Sequence, residues 1–425
     1  MNRSIKSKLL FFMIISFLIF LSQTSYSLTL DEAISLAKET LPFYKAAVVK
    51  TKSTEALYSA SLGPYLPSLD ASTIQRRFYT SSEEYPTSSY DVTLSYTLFD
   101  GGNRRASRNI AWLNFDISKE DLRTKLLDLE FNVKVAFYSA IAQRETLEQR
   151  KVQLQDAQKD YEVAEGRYKF GVAKLSDVLQ ASVRLEQARF NVVQAEGEFK
   201  KALLELSSLI GKPLDSQYDI QGTLDMEVKP PERNKLSQAV LQRPEIKQAE
   251  DSLKISTQNK SLVLSSFYPT ISMSASYNKT DSGVFITSFP EEKIASLSAT
   301  WNIFELGKFF RLKSSGLEKD VSSEQLNDFK RQILLDVHKT YEDLITASNN
   351  LKVAQQQFKQ AEQNYAQAFG EYKVGKGDIL SLVQAESLLA NAREQLISSR
   401  LNLIVSRSLL ERIAGIERLE FLDRY

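Results

Sequence analysis

The sequence has no cysteine and one histidine, His338. The first absence excludes disulfides and thiolate metal sites. The second leaves no partner for a histidine-based metal or acid–base centre, and a lone histidine in mid-helix reads as a structural or surface residue. There is no glycine-rich phosphate loop, no G-x-S-x-G and no paired His/carboxylate motif. The chain therefore gives no sign of an enzyme, and it implies no cofactor. No cluster of Met or His marks a dedicated metal path. Lys and Arg number 54 against 53 Asp and Glu, a net charge of +1, so no nucleic-acid partner is expected. Only 15 glycines and 10 prolines interrupt 425 residues, which leaves room for very long elements.

The N-terminus carries Arg3, Lys6 and Lys8, then an apolar run over residues 9–21, then the small residues Ser25 and Ser27. That run is too short to span a bilayer, and the order is that of an export signal over residues 1–27 with cleavage after Ser27. No cysteine follows to take an N-terminal lipid. No later stretch reaches the roughly 18 apolar residues of a membrane helix. Any crossing of a membrane must then be made by strands.

What is present in abundance is repetition. Residues 167–181 read RYKFGVAKLSDVLQA, and residues 371–385 read EYKVGKGDILSLVQA, about 204 positions later. Each is a glycine-centred turn between helical patterns. Leu154, Ala157, Tyr161, Ala164 and Tyr168 approach the first turn at heptad spacing, and Leu185, Ala188, Val192, Ala195 and Phe199 leave it likewise. Phe358, Ala361, Tyr365, Ala368 and Tyr372, then Leu389, Ala392, Leu396, Ser399 and Leu403, repeat the pattern. From about residue 104 to 165 there is neither glycine nor proline, enough for a helix of about 90–100 Å. Val152, Val163 and Phe170 lie off the seam and call for a second neighbour, as in a tube of helices; a long exposed coiled coil is the alternative.

Each half adds two strands. Thr29 with Glu32 forms a capping box for a first short helix ending near Pro42, and a second helix runs to about Leu62. A strand is expected over residues 68–79, with Leu69, Ala71 and Ile74, followed by a loop over 80–89. Val92, Leu94, Tyr96 and Leu98 then alternate with Thr93, Ser95 and Thr97 up to Asp100-Gly101-Gly102. In the second half Ile271, Met273, Ala275 and Tyr277 alternate with serines. After a loop over 279–292, Leu297, Ala299, Trp301 and Ile303 alternate with Ser298, Thr300 and Asn302. One apolar and one hydroxyl face suit either a membrane barrel strand or a soluble sheet with one buried face. The export signal favours the barrel. Four strands cannot close one, since about eight are needed, so the chain must associate with copies of itself, as a dimer or a trimer. The expected organisation is a signal at 1–27, a first repeat at 28–211, a linker at 212–234, a second repeat at 235–415 and a tail at 416–425. Ser176 is expected to cap the return helix of the first tip.

This ordered duplication resembles the TolC family of outer-membrane efflux and secretion channels over the whole mature chain. The tips 168–179 and 372–383 carry the resemblance, with the strand starts Leu66-Pro67 and Tyr268-Pro269 and the strand ends at Phe99 and Phe304. The resemblance implies a mainly α fold with a membrane β-barrel. Duplicated coiled-coil hairpins would form a trimeric α-barrel in the periplasm, and four strands per chain a 12-stranded barrel in outer-membrane lipid. It implies partners: a homotrimer, a periplasmic adaptor and an inner-membrane pump of the RND or ABC type. It implies adaptor-docking tips at Gly171, Val172, Val178, Leu179, Gly375, Gly377, Leu382 and Val383. It also implies a periplasmic gate at Tyr372, Asp177, Ser176, Lys376, Ser381 and Gln384, with Tyr372 reaching Asp177. The family's gate arginine is Gly377 here, which leaves Lys376 as its substitute, and its paired entrance aspartates are Ser381 and Gln384, which predicts weak cation selectivity. The function expected is a passive exit duct. A periplasmic adaptor with a coiled-coil hairpin is the alternative, against which the duplication and the four strands count.

Overall fold

The computed structural model describes residues 27–79, 84–214, 218–226, 228–282, 291–416 and 418–419. Residues 1–26 of the expected export signal 1–27, and the last residues of the tail, lie outside them. In chain order the elements are β1 (Ser27–Leu28), α1 (Leu30–Thr40), α2 (Pro42–Ala60), β2 (Ser68–Tyr79), β3 (Glu84–Phe99), α3 (Asn103–Lys169), α4 (Leu175–Ile210), β4 (Asp219–Ile220), α5 (Arg233–Val240), α6 (Pro244–Ser265), β5 (Thr270–Ser282), β6 (Glu291–Thr300), α7 (Leu306–Lys373) and α8 (Ile379–Ala414). Two compact units result, and each draws on both halves of the sequence. One comprises residues 43–126 and 233–337, the other residues up to 42, 127–232 and 338–421.

The strand-bearing unit holds one antiparallel sheet in the order β2-β3-β5-β6, with β2 and β6 as its edges. The alternation expected from sequence becomes rows that cross all four strands. Ser68, Ser95, Ser274 and Ser296 are register partners in succession, and one step along Leu69, Leu94, Ala275 and Ala295 are too. The hydroxyl face meets Asn103, Arg104 and Asn302 around a cavity of about 900 Å³. The apolar face is open, with Leu94 43%, Met273 46% and Leu297 73% exposed. A contiguous apolar surface of this kind marks contact with lipid or protein rather than water.

Several expectations at the strands need correction. The loop expected over 80–89 is shorter, because β3 begins at Glu84, and that expected over 279–292 shrinks because β5 runs to Ser282 and β6 starts at Glu291. Polar stretches here are strand, since antiparallel pairing satisfies the backbone whatever the side chains are. Residues 80–83 and 283–290 lie outside the described residues. Trp301 and Ile303 fall beyond β6; the Trp301 indole N–H instead donates to Phe267 O at 3.0 Å. Ile74 pairs with Ser89 and so shares the hydroxyl face, not the face of Leu69. A lone side chain of the wrong class is outvoted by the register of its neighbours. At the corner into each long helix a cation gathers backbone carbonyls from the neighbouring strand and turn. Arg104 donates to Thr97 O at 2.7 Å and Pro64 O at 3.1 Å, and Lys308 to Asn302 O at 3.0 Å and Ser266 O at 2.7 Å.

The other unit is built on the heptad seams. Ala157, Leu185 and Ala188 pack with Leu154 and Tyr161, and Ala361, Leu389 and Ala392 pack with Phe358 and Tyr365. The two clusters match residue for residue. Small alanines on the seam let the helices approach closely while the larger partners fill the gaps between turns. Tyr168 departs from the expected seam: it is 44% exposed, while its counterpart Tyr372 is 1% exposed. Val163 finds the second neighbour it needs, whereas Val152 and Phe170 remain exposed in a single chain. At the far end of this unit α4 stops at Gly211, whose φ of +67° is left-handed, and Thr40 Oγ1 donates to Ile210 O at 2.9 Å. A Cβ at Gly211 would lie 2.4 Å from the Thr40 side chain, so glycine is required for both conformation and space. The expected linker carries a short ladder that the sequence did not announce: β1 pairs in parallel with β4.

Candidate functional site at the helix tips

Both tips are made the same way. In the first, Gly171 N donates to Tyr168 O at 2.9 Å and Val172 N to Arg167 O at 3.0 Å. In the second, Gly375 N donates to Tyr372 O at 3.1 Å and Lys376 N to Glu371 O at 2.9 Å. Gly171 and Gly375 have φ of +75° and +81°. Each is a helix stop in which a left-handed glycine lets the last carbonyls find donors, and any other L-residue would be strained there.

The restarts differ. The expectation that Ser176 caps α4 is corrected. The N-cap is Lys174, which supplies no side-chain acceptor, and Ser176 sits inside the first turn, its hydroxyl 3.3 Å from Asp177 Oδ1. The helix begins two residues earlier than a serine cap would place it, because Leu175 is already helical. In the second tip Asp378 is a true cap. It accepts from Ser381 N at 2.8 Å and from Ser381 Oγ at 3.2 Å, and the Ser381 backbone bond holds its carboxyl below the usual range. An aspartate three residues ahead of a serine at a helix start was the signal for it.

The centre of the site is Tyr372. It packs with Ala164, Ala181 and Leu382 in one buried cluster that joins the two hairpins. The Arg167 guanidinium lies over its ring, 4.4 Å from the centroid, and also donates to Tyr372 O. Burial pushes the phenol above its ordinary value, with Asp177 and Asp160 adding to the effect and Arg167 opposing it. The Tyr372 hydroxyl is buried without a hydrogen-bond partner among the described residues. The expected link from Tyr372 to Asp177 is therefore not a hydrogen bond within one chain; Asp177 acts on it only through its charge. Arg167, absent from the sequence-based gate, does the joining instead. Its place one residue before Tyr168 gave no hint, since the contact is made to the other tip.

The remaining expected residues divide by exposure. Lys376, Ser381 and Gln384 are exposed, Asp177, Val178 and Val383 are half-buried, and Val172 and Leu179 are exposed. Leu382 is corrected as a docking residue: at 1% exposure it belongs to the packed cluster. Gly377, where the resemblance places an arginine, is closely packed. A Cβ there would lie 3.1 Å from Tyr372 N and 3.2 Å from Glu371 Cβ, and its own N–H donates to Glu371 O at 3.0 Å. Among the described residues no ion pair or side-chain hydrogen bond is made by Lys376, which is exposed. The exposed apolar set at the tips is wider than expected. Phe170 is 86% exposed, Val374 68%, Leu380 59% and Leu175 53%, all off the seam.

A family model described as "Outer membrane efflux protein" matches residues 33–212 and 236–416. The chain belongs to the outer membrane efflux protein family. Its place is the outer membrane, with a helical periplasmic extension. Among relatives of this efflux protein, Protein CyaE of Bordetella pertussis is 26% identical over 378 residues, 87% of this chain and 80% of that one. Among solved structures, CusC, described in terms of folding and transmembrane channel formation, superposes with a TM-score of 0.82 at 18% identity, over 91% of this chain and 92% of that one. The open state of the Neisseria gonorrhoeae MtrE outer membrane channel gives a TM-score of 0.78 at 21% identity, over 91% and 89%. The fold of this efflux protein is thus that of known outer-membrane channels, and the family model matches it in two segments of similar length.

Proposed function

We propose that the protein is the passive exit duct of a tripartite efflux or type I secretion assembly, gated at its helix tips. Three chains would close three four-stranded sheets into a 12-stranded barrel, apolar face to lipid and hydroxyl face to water. The observation that supports this most is the sheet itself: both edges are open and the apolar rows are exposed. Such a sheet is incomplete alone, because open edges and bare apolar rows demand partners. The exposed apolar side chains at the tips are suited to an adaptor's hairpins, and the pump of RND or ABC type would supply the energy. Opening would part the two hairpins at the Arg167–Tyr372 contact. An adaptor can favour that only to the extent that it binds the open arrangement more tightly. The adaptor reading of the chain itself loses its ground, since the family match and four strands belong to a channel.

Purified mature protein, added to a planar lipid bilayer, tests the proposal. Stable stepwise conductances are expected. A protein that never inserts, or inserts without conducting, would overturn it.

A further inference from the structure

Above the tip contact, four helices bring acids and bases into one buried place between the hairpins. Asp160 on α3 is 6% exposed and Glu386 on α8 is 7% exposed. Tyr365 on α7 donates its hydroxyl to Asp160 Oδ1 at 3.3 Å, and Arg184 on α4 donates to Glu386 at 3.1 Å. Asp156, one turn from Asp160, takes Arg393 of α8 at 3.5 Å and Lys159 at 3.5 Å. The two arginines are thus committed to Glu386 and Asp156. Asp160 Oδ2 is buried with no hydrogen-bond partner among the described residues. An ionised carboxylate with one weak donor, two neighbouring acids and no cation of its own is costly in a buried site, and a proton removes the cost.

We propose that Asp160 is a proton-operated latch between the two hairpins: neutral, it lets them pack; ionised, it loosens them. The latch rests on the reading of the tips as a gate, and it gives that gate a second control besides the adaptor. Burial, with Glu386 and Asp156 adding to it, raises the Asp160 carboxyl from 3.8 to about 7, against the pull of Tyr365 and Arg184. Burial also raises Glu386, against Arg184. Packed hairpins therefore hold the proton to higher pH than parted ones. Their pairing is strongest below the ordinary carboxylate range, weakens as pH climbs through about 7 and levels off once the carboxyl is ionised in both arrangements. One group can contribute at most about a tenfold change in the packed-to-parted ratio per pH unit across that window. Tyr365 is itself pushed far up by burial and the nearby acids, so its hydroxyl stays a donor throughout.

Because the chain has no cysteine, spin labels can be placed at Val172→Cys and Val374→Cys, exposed positions on the two tips. Labelled chains diluted with unlabelled ones report the distance within one chain. A longer-distance population should grow between about pH 5 and about pH 8, and should grow much less in the Asp160→Asn background, where that group is always neutral and only Glu386 still titrates. Tyr365→Phe removes the donor that favours the ionised form, so the same transition should move to higher pH. A distribution indifferent to pH, an unchanged transition in Asp160→Asn, or a shift to lower pH in Tyr365→Phe would each overturn the latch. Bilayer conductance on the same samples keeps the two ideas apart. A pH-dependent distance change in a protein that does not conduct would sink the duct and leave the latch standing.

Discussion

Replacing Arg167 by alanine should unlock the tips, while replacing Tyr372 by phenylalanine should not. Arg167 makes two contacts across the hairpins: its guanidinium sits 4.4 Å from the Tyr372 ring centroid and it donates to the Tyr372 carbonyl. A cation over a partly desolvated ring contributes about 0.5–2 kcal/mol. A hydrogen bond from a charged donor contributes about 1.5–3 kcal/mol when buried. Arg167 is only half-buried, and water replaces part of both contacts, so about 2 kcal/mol in total is a fair figure. That corresponds to about a 30-fold shift of the closed-to-open ratio toward open. The Tyr372 hydroxyl has no partner among the described residues to lose. Removing it should leave the closed state unchanged, or stabilise it by up to about 1 kcal/mol through the buried polar group it eliminates. Arg167→Lys, which keeps the charge but not the planar fork, should fall between. The assay is open probability of single channels, with uptake of a bulky antibiotic by whole cells as a second readout. If Tyr372→Phe proved as leaky as Arg167→Ala, the hydroxyl would be a working part of the lock and the reasoning would fail.

Other substitutions follow from the same geometry. Gly211→Ala must accommodate a left-handed backbone and a Cβ 2.4 Å from Thr40, so a loss of about 2–4 kcal/mol and a lower melting temperature of the assembled protein are expected. Leu297→Arg on the bare apolar face should impair membrane assembly by about 2–4 kcal/mol, whereas Ser274→Arg on the hydroxyl face should be tolerated and change conductance, as heat-resistant oligomer yield would report. With Ser381 and Gln384 exposed at the second tip, reversal potentials should show weak cation selectivity, and the pair Ser381→Asp and Gln384→Asp should raise it. Phe170→Glu, altering the most exposed apolar side chain of the tips, should abolish retention on an adaptor column without changing conductance.

Much of the fold was legible because its elements are governed by local rules. The limits of β2, the stop of α4 at Gly211 and the two tips follow from turn glycines and from periods of two and seven, which any reader of the chain can count. The loops at 80–89 and 279–292 were overestimated because polarity was read as irregularity, while ladder bonds made strand of those residues. The site was less legible than the fold. Tyr372 could be found from its heptad position, but its partner Arg167 could not, because nothing in either tip's local pattern says which side chains will meet across two hairpins. Ser176 misled because a serine near a helix start is a good cap only if it stands at the boundary, and Leu175 had already begun the helix. Asp160 was invisible for the same reason as Arg167: its burial comes from three other helices.

The central claim is that the open sheet of one chain is completed by identical sheets of two others. With no native cysteine in the way, one cysteine at Ala71 on the β2 edge, combined in turn with one at Lys293, Ala295 or Leu297 on the same face of the β6 edge, can form a disulfide only between chains. Oxidised outer membranes, run without reductant, should show a ladder that ends at the covalent trimer for at least one pair. A ladder that stops at the dimer, one that continues past the trimer, or no cross-link for any pair would contradict the claim.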